Sequence, residues 1–174
     1  MKKRILVTGS KGFVGSHLVP ILKDQYDVAE WDLEDKNDIF ESDFEIMMKS
    51  SDVVIHLAAL TSVNASFEEP EEYFRSNVLG TAKVLELAKK WNVKVIYPSS
   101  AAVYHWELSP YAESKALAEN IAKKFSNVTT LRFFNIYGPG MNKDSGSLMF
   151  EFVKGLKKGK LVIFGNGEQT RDFI

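Results

Sequence analysis

Arg4-Ile5-Leu6-Val7-Thr8-Gly9-Ser10-Lys11-Gly12-Phe13-Val14-Gly15-Ser16-His17-Leu18 joins a short apolar run, a glycine turn and the start of a helical pattern. The run 4–7 lacks the alternation of a half-exposed strand, which suits a strand covered on both faces. The pattern over 13–23 puts Val14, Leu18, Ile21 and Leu22 on one helix face, and Pro20 predicts a kink within it. Between them, Gly9, Gly12 and Gly15 recur every third residue. The turn calls for glycine because of its backbone angles. Bare backbone also admits a pyrophosphate, and the helix N-terminus offers N–H donors and a positive dipole end. A strand before and a helix after are the context that a dinucleotide-binding turn requires. No Gly-Lys-Ser/Thr follows at the spacing of a Walker A loop.

Further short apolar runs follow at 28–31, 53–57, 93–97 and 129–134, separated by helical patterns near 43–49, 75–91 and 111–125. Repeated βα units predict an α/β fold, a doubly wound parallel sheet. The chain becomes glycine-rich and polar at 138–146, then shows a basic helix at 148–158 and a short strand at 161–164. A nucleotide-binding domain over 1–137 and a boundary to a second unit over 138–174 are expected. The helix 75–91 is apolar on two sides, marked by Val78, Ala82 and Leu85 and by Val84, Ala88 and Trp91, so one side calls for a further partner.

Composition excludes several classes of function. The 174 residues carry 22 Lys+Arg against 23 Asp+Glu and no cysteine. Near-neutral charge gives no case for nucleic acid or an acidic membrane surface. Without cysteine there is no disulfide, thiol catalysis, iron–sulfur cluster or cysteine-bound zinc, and no metal site is expected. No stretch approaches the apolar length of a membrane span or a secretory signal, which predicts a cytoplasmic protein.

Asp32 stands at the end of the second strand. A carboxylate there accepts hydrogen bonds from the adenosine ribose hydroxyls and repels a 2′-phosphate, which favours NAD over NADP. Ser99-Ser100 ends the fourth run, and Tyr111 and Lys115 follow at i and i+4 on one helix face. A lysine ammonium beside a phenol favours phenolate. Phenolate can take a proton from a sugar hydroxyl while hydride leaves the same carbon, with Ser100 hydrogen-bonded to the reacting oxygen. Tyr-x-x-x-Lys alone also fits a solvated pair; its place after Ser99-Ser100 gives it weight.

The stretches TGSKGFVG (8–15), DVVIHLAAL (52–60), SNVLGT (76–81), SSAAVY (99–104), PYAESKALAE (110–119), LRFFNIYGPG (131–140) and LVIFGNGEQTRDFI (161–174) run in one order from end to end. In that order the chain resembles the extended short-chain dehydrogenase/reductases, specifically their NAD-dependent nucleotide-sugar epimerase/dehydratase branch. The resemblance implies a Rossmann fold with NAD as cofactor. It places Phe13 and Val14 at the pyrophosphate with Gly9, Gly12 and Gly15, and Asp38 and Ile39 beside the adenine. Leu57, Ala58 and Ala59 would line the cofactor, with Asn77 supporting the site from its helix. Lys115 would hold the nicotinamide ribose as well, and Phe134 would touch the nicotinamide side. His56 reads as a packed core residue. On the substrate side it implies Ser100, Asn135 at the diphosphate, Val162, Ile163 and Phe164 reading the base, and Arg171 pairing with phosphate. Phe133, Phe134 and 162–164 also fit plain strand packing, and Met141 reads as packing. A homodimer through 75–91 and 111–125 is implied too.

Ala101 and Ala102 stand where dehydratases of this branch carry acidic residues and decarboxylases a glutamate. With Asp32 disfavouring NADPH reductases, C4 epimerisation through a 4-keto sugar remains, with a UDP-sugar of the UDP-glucose/UDP-galactose type as the default substrate. Two departures from the family pattern stand out. The connection from Ser100 to Tyr111 is short, which predicts some misplacement of one against the other. The sequence also ends inside a family motif at Arg171-Asp172-Phe173-Ile174, so it reads as C-terminally truncated with only the beginning of a substrate lobe. The alternatives are a catalytically inactive NAD-binding or interaction fragment, or a nucleotide-sugar dehydratase or reductase.

Overall fold

The computed structural model describes residues 2–141, 147–163 and 165–174. Five strands form one parallel sheet: β1 (Arg4–Thr8), β2 (Asp27–Trp31), β3 (Val53–His56), β4 (Lys94–Ser100) and β5 (Val128–Phe133). Their order is β2-β1-β3-β4-β5. The chain therefore leaves β1 to one side for β2 and returns across it for β3. The sheet's topological switch point lies at the C-terminal end of β1, where α/β proteins bind ligands. This is the doubly wound, Rossmann-like fold expected from the sequence.

Alternate strand residues point to opposite faces, and both faces are covered. On one, Leu6, Ala29, Trp31, Val54, Val95 and Tyr97 pack against Phe44 and Met48 of α2 (Ser42–Lys49), Val84, Leu85 and Ala88 of α5 (Gly80–Lys90), and Ala118 and Ala122 of α6 (Pro110–Ala122). On the other, Ile5, Val7 and Ile55 meet Val19, Leu18 and Leu22 of α1 (Phe13–Lys23). Two-sided burial is the reason these runs show no alternation. Helix α1 continues through Pro20 to Lys23. The β5 edge is less covered, and Leu131 is largely exposed.

Three pieces differ from the sequence reading. Residues 62–73, given no element there, form two short helices, α3 (Val63–Glu68) and α4 (Pro70–Tyr73). The Ser62 hydroxyl accepts the Ala65 N–H at the start of α3, and Pro70 opens α4; both are ordinary start signals. The single helix read over 75–91 is in fact a π-helical segment, Phe74–Leu79, running into α5. The strand expected at 161–164 is not formed: 161–163 are unpaired and largely exposed, so their apolar run has no ladder to join, and Phe164 lies outside the described residues. Helix α7 (Leu148–Lys157) precedes them. Among the described residues no helix is long and apolar enough to cross a membrane.

Candidate active site

The glycine turn links β1 to α1 at the switch point. Gly9 has φ +68°, and a Cβ there would lie 2.6 Å from the Ala58 nitrogen. A Cβ on Gly15 would lie 2.4 Å from the Gly9 carbonyl oxygen. The first position needs glycine for both angle and space, the second for the close approach of helix to turn. Gly12 is the N-cap of α1 and no side chain caps that end, so its first-turn N–H groups are open to a ligand. Asp32, immediately after β2, accepts hydrogen bonds from the backbone N–H of Lys11 (2.8 Å) and of Glu34 (3.1 Å). Its carboxylate is thereby fixed beside the turn, and each oxygen keeps a further acceptor site.

Two cavities meet across this turn and share Gly9, Gly12, Leu57 and Ala59 in their walls. The first, about 320 Å³, is lined by Asp32, Asp38, Ile39 and Ala58 among others. The sequence reading missed Phe40 and Arg75 at its rim. The Arg75 guanidinium stands 4.7 Å over the Phe40 ring and 3.8 Å from the Asp38 carboxylate. No motif marks these residues, since they meet only when the loop after β2 folds onto the π-helical segment.

The second cavity, about 370 Å³, is lined by Phe13, Val14, Gly15, Ser99, Ser100, Tyr111, Lys115 and Phe134, with Met141 also in the wall rather than in packing. Among its described lining residues there is no Asp or Glu. The short connection does not separate the proposed acid–base groups. Residues 101–108 coil as a 3₁₀ helix with a break at His105, started by the Ser100 hydroxyl accepting the Ala102 N–H. Ser109 then caps α6 through the Ala112 N–H, with Pro110 in the first turn. This returns Tyr111 to Ser100.

The electrostatics of the pair differ from the sequence expectation. Burial pushes the Tyr111 phenol up, and the hydrogen bond with the Ser100 hydroxyl draws it back down. The Lys115 ammonium, expected to lower the phenol, instead donates to the Pro98 carbonyl oxygen at 2.8 Å and sits 4.7 Å over the Tyr97 ring. Burial holds Lys115 down to about 8, opposed by the charge of Glu119.

Two residues work from beneath the groove. Asn77, in the π-helical segment, lines neither cavity. Its side chain bonds the N–H and C=O of Leu60 (2.9 and 3.0 Å) and donates to the Ser114 hydroxyl (2.9 Å). It thereby fixes the loop after β3 to α6. His56 is core, as expected: it bridges the hydroxyls of Thr8 (2.8 Å) and Thr81 (3.2 Å), and burial drives it down to about 3. The Thr8 hydroxyl also accepts the Ala58 N–H (3.3 Å).

Of the residues expected on the substrate side, Ser100 lines the second cavity, while Asn135, Val162, Ile163 and Arg171 line neither cavity. Asn135 donates its amide to the Asp172 carbonyl oxygen (2.7 Å), in a short parallel pairing of 135–137 with 172–174. Arg171 donates to the neighbouring Thr170 carbonyl oxygen, and Val162 and Ile163 are exposed.

The fold is Rossmann-like, with two joined cavities at its topological switch point. A profile of the NAD dependent epimerase/dehydratase family matches residues 5–174, and the chain belongs to that family. Among curated relatives it is 30% identical to a UDP-N-acetyl-alpha-D-glucosaminuronate decarboxylase of Bacillus cytotoxicus, covering 99% of this chain and 67% of that protein. The alignment runs over 222 positions against 174 residues here, so the relative carries residues that this chain lacks between matched segments. Among solved structures, the UDP-N-acetylglucosamine 4-epimerase from Methanobrevibacter ruminantium, in complex with UDP-N-acetylmuramic acid, superposes with a TM-score of 0.88 at 35% identity, covering 100% of this chain and 69% of that one. MoeE5 in complex with UDP-glucuronic acid and NAD gives a TM-score of 0.83 at 32% identity, covering 98% and 67%.

Proposed function

We propose that the chain binds NAD⁺ along the two joined cavities and interconverts C4 epimers of a UDP-sugar of the UDP-glucose/UDP-galactose type. The observation that carries this reading is the makeup of the second cavity: a tyrosine, a lysine and hydroxyls, with no carboxylate among its described lining residues. Elimination of water calls for a further acid or base on the sugar, and Ala101 and Ala102 carry none. Epimerisation at C4 needs one group that takes and returns a single proton.

The residues present fit the dinucleotide. Gly9 and Gly15 leave bare backbone where a Cβ would collide, the α1 amides face the turn, and Asp32 stands by the first cavity. When bound, NAD⁺ supplies the acceptor and the return donor for one hydride. Tyr111 removes the proton of the 4-hydroxyl and later gives it back. Ser100 donates to the same oxygen and steadies the charge that develops there. Lys115, whose ammonium is held at the Pro98 carbonyl oxygen, supplies the cation of the second cavity. Phe13, Phe133 and Phe134 wall the cavity.

The test is direct. Purified chain, NAD⁺ and UDP-glucose are incubated, and UDP-galactose is measured by chromatography. Formation of the epimer supports the reading; a dehydrated product, or no turnover of UDP-glucose, contradicts it.

We also propose a homodimer through 75–91 and 111–125. The support is an outer apolar face: Leu79 and Leu117 are 58% and 41% exposed, and Val78 and Ala82 beside them are only partly covered. Light scattering is expected to give twice the monomer mass; a monomer at high concentration would remove the dimer.

A further inference from the structure

Glu119 is a carboxylate at 3% exposure that the proposed chemistry does not use. It lies four residues after Lys115 on α6, and its two oxygens are fully engaged. Ser99 Oγ donates to Oε2 (2.8 Å) and Arg132 Nε to the same oxygen (3.0 Å); Arg132 Nη2 donates to Oε1 (2.6 Å), and Lys123 Nζ lies 3.1 Å from Oε1. One side chain thus ties the middle of α6 to the C-terminal end of β4 through Ser99 and to β5 through Arg132. The guanidinium is held in turn over the Tyr104 ring at 4.7 Å, which anchors the 3₁₀ turn after Ser100. The elements that carry Ser100, Tyr111 and Lys115 all converge on this carboxylate.

We infer that Glu119 is a positioning residue for the active site: it clamps β4, β5 and α6 in register and, one helical turn from Lys115, sets a fixed anion near that ammonium. The inference rests on the reading of Lys115 as a cation that the proposed reaction needs. Several groups face Lys115. From β4 come the Pro98 carbonyl and the Tyr97 ring. From β3 comes His56, kept uncharged by burial and by Lys115 itself. From its own helix come Tyr111 and Glu119. Only Glu119 among these is a stable anion. Arg132, Ser99 and Lys123 hold it down to about 2, so it stays charged through the working range. Burial alone favours a neutral lysine, and Glu119 is the charge that opposes it. The paired Arg132 and Lys123 keep the carboxylate from being an orphaned buried charge.

The experiment reads Lys115 directly and needs no turnover. The chain is labelled with ¹³C-lysine, and the Cε resonance of Lys115, assigned by its loss in Lys115→Arg, is titrated with pH. In the unaltered chain the midpoint is expected near 8. In Glu119→Gln it is expected about one unit lower, a tenfold change in the protonation equilibrium, and in Glu119→Asp it is expected to return toward the original. Because Gln leaves the Arg132 guanidinium without its anion, the double variant Glu119→Gln/Arg132→Met is measured alongside, with a smaller shift in the same direction expected. A purely structural role lowers Tm and leaves the midpoint unmoved, and that result in either folded variant overturns the inference. Loss of the fold in both variants overturns it as well, since the carboxylate then serves the fold and not the site. A chain that shows the shift but no epimerase activity would retain Glu119's role and refute the proposed reaction.

Discussion

Tyr111→Phe is expected to lower kcat for C4 epimerisation by about 10²–10⁴-fold, the usual contribution of a positioned acid–base group. The NAD⁺ dissociation constant is expected to stay within about twofold, because the ring remains and only the hydroxyl is lost. The phenol is the one side chain of the second cavity suited to take a proton from a sugar hydroxyl and return it. Ser100 is too weak a base, and Lys115 is tied to the Pro98 carbonyl. The Tyr111 ring meets Tyr73 edge-on at 6.4 Å, and Phe preserves that packing. Steady-state rates with NAD⁺ at saturation, together with a binding titration, separate the two quantities. Full activity in the Phe variant would remove Tyr111 from its role.

The second large effect is expected at the glycine turn. At NAD⁺ about 100 times its dissociation constant, binding to the native state adds about 2.7 kcal/mol, or a rise of about 5–10 °C in Tm for a chain of this length. In Gly15→Ala that rise is expected to vanish. The new Cβ would meet the Gly9 carbonyl oxygen at 2.4 Å and the Ser10 carbonyl oxygen at 2.5 Å. Both are backbone atoms of the turn, so relief must come from moving the turn away from α1. Overpacking of this kind costs about 1–3 kcal/mol, which predicts a folded chain with a lower starting Tm. Thermal melts with and without NAD⁺ check this. A Gly15→Ala chain with the full NAD⁺ rise would show that the dinucleotide does not approach the turn.

The sequence and the structure agree where the physics is local. Runs such as Ile5–Val7 lack alternation because α1 and α2, α5 and α6 cover opposite faces of the sheet, and that covering is written in composition. Gly9, Gly12 and Gly15 are legible because they recur every third residue, and the turn needs glycine at 9 for its angle and at 15 for space. Ser100, Tyr111 and Lys115 are legible because a strand end and a helix face fix their positions. What stayed hidden depends on tertiary placement. The Glu119–Arg132 pair crosses from α6 to β5, thirteen residues on, and no spacing rule reveals it, although Glu119 at four residues from Lys115 was a usable hint. Arg75 over Phe40 is hidden for the same reason. Lys115 was expected to lower the Tyr111 phenol, but the Pro98 carbonyl competes for its ammonium. Residues 161–163 have strand composition, yet a strand is a pairing and they have no partner among the described residues. The Ser62 and Pro70 start signals were present in the sequence and went unread.

The central claim is that hydrogen leaves C4 and returns to the same carbon from the opposite side. UDP-glucose deuterated at C4, incubated with the chain and NAD⁺ in ordinary water, tests it. The account predicts UDP-galactose that retains deuterium at C4. Product with the label washed out to solvent, product that has lost water, or unchanged UDP-glucose would contradict it.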